Sequence, residues 1–478
     1  MRLSRHFLSS LVAATAFLVV LTSTGVPASE ATTANWPGYL FDNGHSSKNA
    51  AATAITPANA AHLHKAWTFK PHNQAGQPSA RQLGSPVVVN GVVFLASFSG
   101  TLYALDETTG AVDWSANIGF TPAGACASAS GPTSTPLVAP DPSRSNALTV
   151  YVAGGDGILY AFDASDGSLV WKTPVAATNG EPTEFIYMAP TLVDGALYLG
   201  VATNCEPPLA PGRVVELAQS SGAIVNTYRA VAADSGGGAV WVTPASDGTS
   251  LWVTTGNADQ TGVQPPGDSF SFVRLAVNDL SKQDIWTVTP SLDGSDYDFG
   301  SSPTLFSATI AGTSTQMVGA CNKNGTYYAL AAQDLAAGPV WARVIGTHRG
   351  GGPTCIASAI WDRAKARLIL ASNATKIGGK SFPGSLRSVD PATGAYRWQL
   401  GVAPGPIQGT PTEDGAGVIA AATSDQTGKQ NQLYLVNATT GKAIKKYALP
   451  ALEYAQPVFA DGFLFSATVT GGITAYAP

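Results

Sequence analysis

Residues 97–118 read SFSGTLYALDETTGAVDWSANI and residues 154–175 read GGDGILYAFDASDGSLVWKTPV. Each string spells a strand, a tight turn built on Asp and Gly, and a closing strand that carries a tryptophan. One such string makes a hairpin, whereas recurrence along a chain makes an array whose units must cover one another's apolar faces. The spacing from turn glycine to tryptophan returns at Gly110–Trp114, Gly167–Trp171 and Gly394–Trp398. It returns in weaker form at Gly222–Asn226 and Gly441–Lys445.

Strand pairs read between these anchors give seven units, at about residues 85–119, 133–176, 187–228, 236–290, 298–346, 355–403 and 407–449. Each offers four short strands in which Val, Ile, Leu and Tyr alternate with small or polar residues. Residues 454–478 supply three strands of another unit, and LHKAWTFK at 63–70, with Trp67, supplies the missing fourth. The offset predicts an all-β fold: an eight-bladed β-propeller of four-stranded antiparallel sheets, closed by pairing of the N- and C-terminal strands. Closure removes the unpaired strand edges that an open array would present. A single propeller is expected over 62–478, preceded by an irregular arm over 29–61 that is anchored by Trp36, Tyr39 and Phe41. The tryptophans are expected to pack between neighbouring sheets, and the turn glycines to take positive φ.

The amino terminus carries Arg2 and Arg5, an apolar run from Phe7 to Leu21, and Val26-Pro27-Ala28 before Ser29. That order is expected to be a signal peptide, residues 1–28, and implies a secreted or extracytoplasmic protein. No cysteine stands at the cleavage point to accept lipid, and no transmembrane anchor is expected after cleavage. A formal net charge of −5 offers no electrostatic footprint for nucleic acid. Export permits disulfides among Cys126, Cys205, Cys321 and Cys355. Of three possible pairings Cys321–Cys355 is expected, with Cys126–Cys205 as the remainder. None forms the CxxC or CxxCH spacing of a zinc ribbon or attached haem.

Long connections interrupt the repeats at 117–135, 204–213, 257–271, 289–299 and 373–385, and function in a propeller resides in such loops. Five polar segments stand out: VATNCEPP, SGGGAVWVTP, VTTGNADQ, DGSDYDFGSSP and CNKNGTYYAL. Trp241, after a glycine cluster, can present an indole face to a flat ligand. Asn257, Glu206 and Asp296 offer the oxygen atoms that calcium prefers. Asp293, Asp296 and Asp298 form a denser acidic group, and alternation places Asp296 and Asp298 on one side of an extended segment. Lys323 is a compact positive charge suited to a developing oxyanion. The plain alternative for each acid is a turn cap, a solvated loop acid or a purely structural calcium.

These segments resemble the pyrroloquinoline quinone (PQQ) propellers and, in their irregular parts, the quinoprotein alcohol dehydrogenases. The likeness to the polyvinyl-alcohol-dehydrogenase-like branch rests on DYDFGSSPTLF and on CNKNGTYYAL followed by GPVWARVIG. The resemblance implies metal ligation by Glu206, Asn257 and Asp296, with Asp298 where lanthanide-dependent relatives carry an extra acid. It also implies stacking of the quinone on Trp241, contact of Lys323 with the quinone carbonyl oxygens, and a pocket position for Asn373. Asp296 is implied as the catalytic base. The implied cofactors are PQQ and Ca2+, with a lanthanide left open. The implied partners are an alcohol substrate, polymeric alcohols included, and a separate electron acceptor such as a cytochrome c, since the chain carries no haem domain. The sequence departs from that pattern in three places: Cys126 stands without an adjacent cysteine, the early quinone-contacting arginine has no match, and PPLAPGRVVEL follows Glu206. Two other readings stand beside it: a non-catalytic extracytoplasmic protein-interaction scaffold built on the same repeats, and a carbohydrate-binding or carbohydrate-processing propeller.

Overall fold

In the computed structural model, residues 33–73, 77–123, 128–180, 182–204, 208–258, 267–289, 296–347 and 355–478 are described. They form eight antiparallel sheets, each led by an innermost strand. Blade 1 begins with Val87–Val89, blade 2 with Leu137–Pro140, blade 3 with Thr191–Val193 and blade 4 with Ala245–Ser246. Blade 5 begins with Thr304–Ile310, blade 6 with Ile360–Asp362, blade 7 with Thr412–Asp414 and blade 8 with Val458–Ala460. The outermost strand of blade 8 is His64–Phe69, paired antiparallel with Gly472–Ala477, so the two ends of the chain close the ring as the repeat offset predicts. Connection 373–385 is more than a loop, since it contains a small hairpin, Thr375–Ile377 with Lys380–Phe382.

The core is not one mass. Eight separate apolar clusters form, and each draws residues from two adjacent blades, one cluster per joint. The tryptophans organise these joints. Trp67, Trp114, Trp171, Trp341 and Trp398 donate their indole N–H groups to Glu107, Ala164, Gln219, Pro391 and Ala438 carbonyls of the next blade, at 2.8–3.0 Å. Each ring also lies on the turn glycine of that blade. A Cβ added at Gly167 would fall 2.5 Å from Trp114, and one at Gly441 2.4 Å from Trp398. Glycine is therefore required twice at these turns, for positive φ (72° at Gly167) and for the indole above it.

Nearer the axis, hydroxyl groups link successive innermost strands. Gln456 N–H donates to Ser85 Oγ (2.8 Å), Ser85 N–H to Thr135 Oγ1 (2.9 Å), and Ser134 Oγ to Met188 O (3.0 Å). Thr191 Oγ1 donates to Pro244 O (2.6 Å), Thr243 N–H to Ser302 Oγ (3.0 Å), and Ser358 N–H to Thr410 Oγ1 (3.0 Å). Backbone groups that have no sheet partner at the start of each blade are satisfied in this way.

The arm circles the axis once, touching the blades in chain order. Trp36 exchanges backbone hydrogen bonds with Val88 of blade 1, and Pro37 O accepts from Val138 of blade 2. Asn43 bridges Leu192 of blade 3 and Ser246 of blade 4. Gly44, Ser46 and Ser47 carbonyls then accept from Leu305, Trp361 and Glu413, and Asn49 donates to Phe459 O of blade 8 (2.9 Å). Lys48 locks the path: its ammonium lies 3.1 Å from Asp362 and 2.6 Å from Glu413, both also paired with Arg367. Trp36 and Leu40 of the arm are fully buried. The turn after the innermost strand of blade 7 also meets the arm, Gly415 N–H donating to Ala52 O (2.7 Å). The arm thus follows the innermost strands of all eight blades and touches the first-to-second turns of blades 1 and 7.

Candidate functional site

In an antiparallel blade, the second-to-third turn and the connection to the next blade share the end opposite those turns. Four of the segments that break the repeat fall there. Trp241 leads into blade 4, Asn257 follows its second strand Ser250–Thr254, Asp296 and Asp298 lead into blade 5, and Lys323 follows blade 5's second strand Thr313–Cys321.

These five side chains meet. Lys323 Nζ lies 3.0 Å from both oxygens of Asp296 and 2.5 Å from Asp298 Oδ1, so both carboxylates reach one ammonium, as alternation along an extended segment allows. Asn257 Nδ2 donates to Asp296 Oδ1 at 2.9 Å. The same ammonium sits 4.7 Å from the centroid of the Trp241 ring, within cation–π range. Tyr187 meets that indole edge-on at 6.4 Å.

The two acids differ in environment. Asp296 keeps a side chain 52% exposed, whereas that of Asp298 is 5% exposed. Burial pushes Asp298 up to about 7, reinforced by the charge of Asp296 and opposed by Lys323. Partial burial also raises Asp296, but the Lys323 charge and the hydrogen bonds from Asn257 and Lys323 outweigh it and leave this carboxyl below the usual range. Burial lowers Lys323, but the charges of Asp298 and Asp296 outweigh it and hold the ammonium above its ordinary value.

Two glycines allow the approach. A Cβ on Gly300 would lie 2.5 Å from the Trp241 ring and 2.6 Å from Ile356, and one on Gly256 would lie 3.1 Å from Asp298 Oδ2. The expected disulfide Cys321–Cys355 is present, with Cα atoms 5.7 Å apart, and it ties the strand before Lys323 to the segment that carries Ile356. Cys126, Cys205, Glu206 and Asp293 lie outside the described residues, as does the signal segment 1–28. Asn373 is buried one blade further on, donating to Thr347 O (2.8 Å), and Gly346, packed against its side chain, donates to Gly325 O of the Lys323 turn. Among the described residues no group of three or more His, Cys, Asp or Glu side chains is arranged to hold a metal ion. The remaining oxygen donors are Asn257, Asp296 and Asp298.

Sequence reasoning did not single out Asn322, Gly256, Gly300, Tyr187 or Ile356. The glycines carried a signal, standing beside Asn257 and just after Asp298. Ile356 carried none, because its contact crosses from one blade to the next.

The eight-bladed ring, with the arm along its innermost strands and a charged aromatic cluster on the connections of blades 4 and 5, shares its fold with the propellers of quinoprotein dehydrogenases. It covers 93% of the chain at a TM-score of 0.74 to a europium-containing methanol dehydrogenase, at 16% identity and over 98% of that chain. It matches the quinohemoprotein alcohol dehydrogenase from Comamonas testosteroni over 93% of this chain and 80% of that one, with TM-score 0.72 and 18% identity. By sequence, the chain belongs to the repeat family described as outer membrane protein assembly factor BamB, matched at residues 28–228, 146–376 and 383–478. It is also 24% identical over 418 residues to the polyvinylalcohol dehydrogenase of Sphingopyxis sp. (strain 113P3), covering 77% of this chain. It spans 59% of the length of that curated relative. No helix among the described residues is long and apolar enough to cross a membrane. Membership in a family described by an outer-membrane assembly factor agrees with the extracytoplasmic location that the amino terminus implies.

Proposed function

We propose that the chain is an extracytoplasmic dehydrogenase that oxidises an alcohol with PQQ and Ca2+ as cofactors. The observation that carries the reading is the meeting of Trp241, Asn257, Asp296, Asp298 and Lys323 on the connections and turns of blades 4 and 5. Their chemistry suits the group: an indole platform, an ammonium for an anionic planar molecule, and hard oxygen donors for a cation, the kind calcium takes in six- to eight-oxygen shells. A lanthanide would draw on the same donors, with Asp298 as the additional acid. Glu206 would complete the metal set.

When bound, the quinone supplies the two-electron acceptor for hydride from the alcohol carbon. Everything else falls to the chain. Trp241, backed by Gly300, offers a flat surface that fixes orientation. Lys323 places positive charge beside oxygen atoms that gain electron density. Asp296, the more exposed acid, takes the hydroxyl proton at a carboxylate oxygen, while Asn257 restrains that carboxylate. Asn373 supports the Lys323 turn from the neighbouring blade. Electrons leave to a separate acceptor such as a cytochrome c. Polymeric alcohols belong in the substrate range because the curated polyvinylalcohol dehydrogenase covers 77% of this chain.

The test is reconstitution with PQQ and Ca2+, calorimetric titration, and an artificial-acceptor assay over primary, secondary and polymeric alcohols. Saturable binding with alcohol-dependent reduction of the acceptor is expected. Absence of quinone binding would leave the second reading, an extracytoplasmic interaction scaffold, which the matched family description favours.

A further inference from the structure

We infer that a polar cleft between blades 7 and 8 binds a linear polyhydroxylated chain. The binding stands on the cleft alone, and only its use in holding a polymeric substrate rests on the dehydrogenase reading. The second and third strands of blade 7, Val418–Ala422 and Gln432–Asn437, are joined by residues 423–431, against 98–100 in blade 1 and 469–471 in blade 8. This long turn is built around two buried side chains, Asp425 and Asn431. The Asp425 carboxylate accepts from the Thr427 and Lys429 N–H groups at 3.0 and 2.9 Å. Asn431 Oδ1 accepts from Asp425 N–H at 2.6 Å and from Thr423 Oγ1 at 2.9 Å. Internal bonds of this kind fix the turn without a partner strand, and they leave Gln426, Lys429 and Gln430 exposed on its outside.

Between this turn, the connection 449–452 and the turn of blade 8 at 469–470 lies a cleft of about 470 Å3, a size ordinary for a ligand site. Its walls are second-to-third turns and a blade-to-blade connection, so it opens on the end of the ring that carries the charged cluster. The lining decides the ligand. Gln430 Nε2 donates to Leu449 O, and Gln426 Nε2 donates to Tyr454 OH at 2.7 Å, while among the described residues no group donates to the Oε1 of either. Two such acceptors call for a ligand that donates, which a carboxylate or phosphate does not. Lys429 supplies donors for the ligand's own oxygen atoms, and Pro450 and Leu452 supply apolar surface for its carbon atoms. No aromatic ring is among the described lining residues, so the cleft offers no flat platform for a sugar ring. A chain of alternating methylene and hydroxyl-bearing carbons meets every group.

Gln426 also links the cleft to the axial side of the blades. Tyr187, Trp241, Gly300 and Ile356 each stand four residues before an innermost strand begins, and they are in contact one after another. Tyr454, the partner of Gln426, holds the same register before blade 8. A chain seated in the cleft therefore passes Tyr454 on its way toward the row that contains Trp241.

The test is calorimetric titration of the full chain, without cofactor, with polyvinyl alcohol oligomers. Saturable binding is expected, with methyl-capped polyethylene glycol, whose ether oxygens accept but do not donate, about tenfold weaker. Gln426→Leu and Lys429→Ala are each expected to raise Kd about fivefold, the loss of one hydrogen bond of ordinary net strength; either variant suffices if the other does not fold. In the PQQ- and Ca2+-loaded protein, KM for the polymer relative to that for a short monohydric alcohol is expected to rise by a similar factor. Equal affinity for the capped glycol, tighter binding of polyacrylate or dextran, or wild-type Kd in both folded variants overturns the assignment. The expected binding pattern in a protein that oxidises no alcohol upholds the cleft and removes the dehydrogenase reading. Oxidation of the polymer with binding and KM unchanged in both variants does the reverse.

Discussion

Glu453 allows a quantitative test of how the ring is held where blades 7 and 8 meet. It is completely buried in the connection between them, with Oε2 accepting from Ser466 Oγ at 2.5 Å and Oε1 from Ala467 N–H at 3.3 Å. Burial pushes its carboxyl up to about 8 from an ordinary 4.5, against the lowering effect of those two hydrogen bonds. The folded state therefore keeps a proton that the unfolded chain has already lost above pH 4.5. Stability from this group is complete below that pH and is lost as pH rises through about 8. At about 1.4 kcal/mol per unit, the loss is of order 5 kcal/mol. Glu453→Gln removes the ionisation but keeps the shape: the amide oxygen accepts from Ala467, and the Ser466 hydroxyl turns to accept from the amide nitrogen. The variant should match wild type at pH 4.5 and exceed it above pH 8. With an unfolding entropy of about 1 kcal/mol/K for a ring of this size, the gain is about 5 °C in melting temperature. Melting both proteins between pH 4.5 and 9 is sufficient. A difference that does not change with pH refutes the reasoning, because only a titrating group produces that slope.

Other expectations follow from the same geometry. Asp296→Asn should retain quinone binding by calorimetry while lowering kcat by about 100-fold or more. Unchanged turnover would remove it as the base. Gly167→Ala should lower stability by about 1–3 kcal/mol, because its Cβ would overlap Trp114, 2.5 Å away, at a φ of 72°; chemical denaturation gives the value. His45 donates to Pro303 O, and burial lowers it to about 4 against the opposing effects of that bond and of Asp42. Its contribution is present above pH 6.5 and is lost as pH falls toward 4, by about 3 kcal/mol. His45→Gln should flatten the acid limb of the stability profile, and an unchanged limb would place the loss elsewhere.

The ring was legible because its repeat encodes each joint twice. A tryptophan and a glycine at fixed separation mark one blade, and the structure places the tryptophan of one blade on the glycine of the next. The closing strand at Trp67 was readable from the same spacing. The path of the arm was not, since Asn43, Gly44 and Ser47 act through backbone groups and short polar contacts that no periodicity marks. In the cluster, Trp241, Asn257, Asp296, Asp298 and Lys323 stood out as polar interruptions of strand pattern, and the structure brings them together. Asn322 was hidden within the same interruption, because its partner is a carbonyl 25 positions earlier in the chain.

The position of the arm bears on how any ligand reaches the cluster. The arm contacts the first strand of every blade at one mouth and is fastened there by the Lys48, Asp362, Arg367 and Glu413 quartet, in which the described ammonium and guanidinium groups serve two carboxylates in common. Removing either partner from so buried a set would leave an uncompensated charge, so the arm is fastened firmly to blades 6 and 7. The clustered acids, Lys323 and Trp241 lie on connections and turns at the other end, and the arm touches the connection that carries the acids only near its close, where His45 donates to Pro303 O at 2.6 Å. Under the proposed dehydrogenase reading, a polymeric alcohol is expected to meet the cluster from the face that carries these connections.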